Sequence, residues 1–169
     1  MNARASVFLV GVLGCQTVSD GGPAPATSHA TAAAVSPHPA DVLDDLDPRK
    51  AVPLLPMMAH HQKENMRDHL LVVQRIVAAT ARGDFAEVAH VSKGIGYSEA
   101  MGRMCEHMGA GTPGFTEQAL AFHHAADGIS RAATKQDAAA VLGALSETLS
   151  ACTSCHASYK QRVVGELAP

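Results

Sequence analysis

Val141, Leu145, Leu149, Cys152, His156, Tyr159 and Val163 recur at spacings of 4-4-3-4-3-4 near the end of a 169-residue chain. Those intervals return side chains to one face of a helix and to no face of a strand. The spacing predicts a long amphipathic helix from Asp137 to about Val164, whose apolar face must be buried against other helices. The same face carries chemistry. Within Cys152-Thr153-Ser154-Cys155-His156 the two cysteines and the histidine lie three and four apart, so one helical face presents all three.

The pattern C-x-x-C-H is the attachment signature of c-type haem. The two thiols add across the two vinyl groups of haem to give thioethers, and the adjacent histidine is held against the iron as an axial ligand. Two rival readings of C-x-x-C fit less well. A thioredoxin-like redox pair expects a βαβ context, and a structural zinc site expects a second pair of ligands that the chain does not supply at the right spacing.

The rest of the domain reads as helix. Strand signals are sparse, and the chain has no Trp, 2 Tyr and 4 Phe. Helix A is expected from Leu54 to Ala81, with Pro53 and Pro56 at its start and Arg82-Gly83 as its stop; Met66, Leu70, Val73 and Val77 form its apolar stripe. Helix B follows the N-cap Asp84 and runs to about His107. The loop Gly109-Ala110-Gly111-Thr112-Pro113-Gly114 leads into helix C, Phe115 to Thr134, with a stripe of Phe115, Ala119, Phe122, Ala126, Ile129 and Ala133. Helix D carries the cysteines. Short connections make neighbours antiparallel, so the expected fold is all-α, an antiparallel up-down four-helix bundle spanning 53–169, a form that holds cofactors between facing helices. A net charge of −3 argues against a nucleic-acid surface.

Ahead of the domain the chain reads as an export and tethering region. Arg4 precedes the short apolar run Val7 to Leu13, and Val12-Leu13-Gly14-Cys15 resembles a bacterial lipobox. That resemblance implies a signal peptide over 1–14 and lipidation of Cys15, with acyl chains contributing about 0.8 kcal/mol per buried CH₂. Gln16 differs from the Asp that retains such proteins at the inner membrane, so the expected place is the periplasmic side, anchored in the outer membrane; an ordinary signal peptide would leave the chain soluble in the periplasm. Residues 15–52, rich in Ala and Pro, are expected to be a disordered linker of roughly 35 Å end-to-end distance, and His29 and His38 in it to be solvated.

Four helices with C-x-x-C-H on the last, in the local form Cys152-x-x-Cys155-His156-x-x-Tyr159-Lys160, resemble the cytochrome c-prime family over residues 53–165. The resemblance implies one covalent haem c on Cys152 and Cys155, with His156 as proximal ligand and the opposite iron face covered by a helix A side chain. Met66-Arg67-Asp68 is similar to the Met-Lys-Asp of low-spin, methionine-ligated members, which makes Met66 the candidate sixth ligand, with His61 and His69 as rivals and simple core packing of Met66 as the bland alternative. Six-coordinate iron suits electron transfer with a redox partner protein. Five-coordinate iron would bind a small gas ligand, NO or CO. A haem-free four-helix sensor or metal-binding module is the third reading. No nucleophile arrangement, acid/base pair or phosphate loop suggests an enzyme. By analogy with such relatives, a homodimer through helices A and B is a further expectation. His123-His124 reads as an exposed or hydrogen-bonded pair. Cys105 reads as a buried small residue within a Met-rich stretch, and Lys160 and Arg162 as a solvated face.

Overall fold

The computed structural model describes residues 39–165. The expected signal peptide, Cys15 and the linker up to residue 38 lie outside the described residues. Six helices and two short strands follow in the order α1 (Pro39–Leu46), β1 (Lys50–Leu54), α2 (Pro56–Ala81), α3 (Phe85–Ser92), α4 (Glu99–Gly109), α5 (Phe115–Ala133), α6 (Ala138–Ser158) and β2 (Tyr159–Val163). The expected helical bundle is present: α6 packs along α5, and α3 fits against both α2 and α5.

Local sequence explains most boundaries. Pro56 occupies the first turn of α2, where a missing N–H costs nothing. The Asp137 carboxylate caps α6 by accepting from the N–H groups of Ala139 and Ala140 at 2.8 and 3.3 Å. Asp84 caps α3 by accepting from Glu87 N–H at 3.0 Å. The single helix B of the sequence reading is two helices. Gly94 and Gly96 break it, and Ser98 starts α4 afresh by accepting from Met101 N–H at 3.2 Å. A Cβ at Gly96 would stand 2.5 Å from an oxygen of Asp127, the same Oδ1 that accepts from Tyr97 N–H at 3.0 Å, so the break is held by α5.

Two further expectations are corrected. Residues 39–52 are not linker but hold α1 and most of β1, and they belong to the same unit as the helices. Helix D stops at Ser158, and Tyr159–Val163 leaves it as a strand that pairs in parallel with β1, Lys50 opposite Tyr159 through Leu54 opposite Val163. Burial drives the pairing, since Val52 and Leu54 are 1% and 2% exposed and each full burial of such a side chain contributes about 1.5–3 kcal/mol.

The core has two clusters. One joins Ile76, Val88, Ile95, Phe122, Ile129, Val141 and Leu145 from the helices; the other joins Val52, Leu54, Ala59, Met108, Phe115 and Tyr159 at the strand end. On α2 the buried face is Ala59, Gln62, Ile76, Ala79 and Thr80, with Met66 and His69 half-buried, whereas Leu70 and Val77 of the expected stripe point outward. On α6 the buried row runs Val141, Leu145, Thr148, then the half-buried Cys152 and Cys155, with Leu149 and His156 exposed.

Candidate functional site

Between the two core clusters lies a cavity of about 520 Å³, within the size range of small-molecule and cofactor sites. Cys152 packs against the helical cluster and Cys155 against the strand-end cluster, so the C-x-x-C pair spans the seam where the cavity opens. His156, although largely exposed, also borders the cavity. The helical spacing of the motif therefore brings Cys152, Cys155 and His156 to the border of one cavity.

The wall from α2 supplies Met66 and His69. They are three apart on one helix face. His61 is elsewhere: it is exposed, within 3.4 Å of the Asn65 side-chain nitrogen, and lines a separate surface hollow with Glu64 and Asp68. Of the three sixth-ligand candidates on helix A, the fold brings two to the cavity and leaves the third in solvent.

The wall from α5 supplies Phe122 and His123. The His69 ring stacks on Phe122 at 5.0 Å and meets His123 edge-on at 5.7 Å. His123 is 3% exposed, and its Nδ1 lies 2.8 Å from the Ile95 carbonyl oxygen; a neutral ring donates from Nδ1 to that acceptor, which leaves Nε2 as the lone-pair nitrogen. Burial pushes both imidazoles toward the neutral form: His69 falls to about 4, helped by the proximity of His123, and His123 is lowered in the same direction. Sequence reasoning grouped His123 with His124 and missed its place in the cavity. The available signal was its spacing of four from Ala119 on the helix C stripe. His124 is exposed and stacks on Tyr97 at 4.5 Å.

The wall from α4 supplies Met101, Cys105 and Met108. Cys105 is 2% exposed, as expected of a buried small residue, and faces the same space as Cys152 and Cys155. Burial raises all three thiols above the ordinary range, which keeps them protonated.

These residues fit a covalently bound iron porphyrin. The pocket walls are mainly apolar, two cysteines line it, and residues with soft sulfur and imidazole donors of the kinds that ligate haem iron line it from α2 and α6. Gln118, also in the lining, has its Oε1 buried with no partner among the described residues, an acceptor that a bound group could satisfy. Among the described residues, no group of three or more His, Cys, Asp or Glu could hold a separate metal ion.

Compared with known proteins, residues 106–160 match the family model described as Cytochrome C'. No curated protein and no solved structure matches the chain. The matched span starts in α4, crosses all of α5 and α6, and ends at Lys160, so it contains the whole C-x-x-C-H motif and two walls of the cavity. Over those residues the chain is similar to the cytochrome c-prime family, a similarity that supports a c-type haem protein with one covalently bound haem c.

Proposed function

We propose that this protein is a monohaem electron carrier whose iron is six-coordinate, with His156 on one face and Met66 on the other. The observation that carries the reading is the placement of Met66 on the cavity wall from α2, in the same space as Cys152, Cys155 and His156 on α6. Haem, once bound, supplies one reversible electron at iron. The chain's own residues do the rest. Cys152 and Cys155 would hold the group covalently in the seam through their sulfurs. His156 and Met66 would hold the iron, from α6 and α2, and the chain would not have to exchange a ligand as the electron came and went. The apolar walls exclude water and set the potential together with the axial sulfur, which raises it relative to two imidazoles.

In this reading the protein is not an enzyme, and its partner is another redox protein. Family members are generally periplasmic, and the proposed anchor is acylated Cys15 in the outer membrane. Substitution tests the assignment. Met66→Ala should convert low-spin iron to high-spin iron that binds CO, whereas His61→Ala should leave the spectrum unchanged. A Met66→Ala protein with the wild-type spectrum would overturn Met66 as ligand.

A further inference from the structure

The segment ahead of α2 closes over the far end of α6. The guanidinium of Arg49 grips the Asp47 carboxylate, from Nε to Oδ1 and Oδ2 at 2.9 and 3.1 Å and from Nη2 to Oδ2 at 2.6 Å. The Arg49 backbone N–H also donates to Asp47 Oδ1, at 3.1 Å. The remaining arm, Nη1, donates to the carbonyl oxygen of His156 at 2.9 Å and reaches that of Tyr159 at 3.4 Å. The His156 carbonyl is one of the last four of α6, which have no partner inside the helix. The arrangement is reciprocal. Lys160, 10% exposed, donates to the carbonyls of Asp44, in the last turn of α1, and of Asp47, just beyond it, and pairs with the Asp44 carboxylate at 2.9 Å. Each segment thus caps the other's helix, with the β1–β2 ladder between them. Asp47, Arg49 and Lys160 all border the cavity.

We propose that Asp47 and Arg49 form a positioning pair for His156, which holds the residue's backbone and sets the charge beside the haem site. The proposal rests on His156 being the axial ligand. Arg49 fixes where the α6 terminus ends and hence where the imidazole stands. Because Asp47 neutralises Arg49 at contact distance, the site sees a balanced pair and not a free cation. The Arg49 hydrogen bond holds Asp47 well below the usual carboxylate range, at about 2, so the pair is charged throughout the neutral range. The wide planar fork of Arg makes this possible: Nε and Nη2 take both carboxylate oxygens of Asp47 while Nη1 reaches the His156 carbonyl.

The test is the reduction potential of the haem-loaded protein. Oxidised iron carries one more positive charge than reduced iron. Asp47→Asn removes an anion and should raise the potential, whereas Arg49→Gln removes a cation and should lower it. The double variant, neutral and similar in size, should return close to the wild-type value. A role in folding alone would lower thermal stability in both single variants without opposite shifts. Shifts of the same sign, or none, would overturn the proposal. Arg49→Lys keeps the test open if Arg49→Gln folds poorly: it preserves charge but not the fork, so the potential should stay near wild type while the absorption bands sensitive to axial ligation broaden. Unchanged bands would count against positioning. His156→Ala separates the two claims. If it loses the axial signature while the Asp47 and Arg49 variants shift nothing, the pair is wrong and the ligand right; if it keeps that signature, the ligand assignment itself fails.

Discussion

Burial decides the chemistry of the residues that face the cavity. It keeps the Cys105, Cys152 and Cys155 thiols protonated, and it keeps His69 neutral down to a pH of about 4. The histidine has a consequence for stability. An unfolded chain takes up a proton on His69 near pH 6.5, while the folded chain does so only near pH 4. Between those values the unfolded state binds more protons, so stability is full above pH 6.5 and falls as the pH drops toward 4. The upper bound is about 3 kcal/mol, reduced by the partial exposure of the ring. Urea denaturation of wild type and His69→Leu at several pH values should show a shallower loss in the variant; parallel curves would contradict this origin. That the motif residues and Met66 border one cavity was legible because helical spacing is local. For His123 the helical spacing was a partial signal only, because its hydrogen-bond partner, the Ile95 carbonyl, belongs to a break in helix B that the sequence pattern did not show.

At the scale of elements, the turn before α5 and the strand after α6 depend on each other. Gly114 has φ +83°, a conformation that only glycine adopts freely, and a Cβ there would stand 2.7 Å from the Tyr159 hydroxyl. That hydroxyl donates to the Pro113 carbonyl at 3.0 Å, and the Tyr159 ring meets Phe115 edge-on at 5.3 Å. Gly114→Ala should therefore cost about 1–3 kcal/mol through strain and the displaced tyrosine, measured by thermal or urea unfolding; a stability equal to wild type would contradict the contact. The four-helix pattern and the site on the last helix could be read in advance. The strands could not. β1 is five residues long, contains Pro53, and finds its partner more than a hundred residues away, whereas periodicity reports only what lies within a few turns. For the same reason Lys160 looked like a solvated charge. Its partner Asp44 lies in a segment whose neighbours upstream have a linker composition.

For the whole molecule, the unit that carries the site begins at Pro39, and its first elements complete the cavity end of the bundle. A chain starting at Pro53 would lose most of β1, including the buried Val52, together with Asp44, Asp47 and Arg49. We expect it to unfold at lower temperature and to retain less covalent haem on expression than a chain starting at Pro39. Equal melting and equal haem content would show that residues 39–52 are dispensable. α6 is long and apolar enough to cross a bilayer, with a mean hydropathy of 1.2; in this fold it serves as the helix that packs on α5 and carries the motif. The electron-carrier reading depends on two helices placing sulfur and imidazole donors around one cavity, and absorption spectroscopy of the wild-type protein in both redox states, with and without CO, tests it most directly. The account predicts a low-spin spectrum in both states that CO leaves unchanged. A high-spin reduced spectrum that shifts on adding CO would contradict it and assign the protein to five-coordinate gas binding.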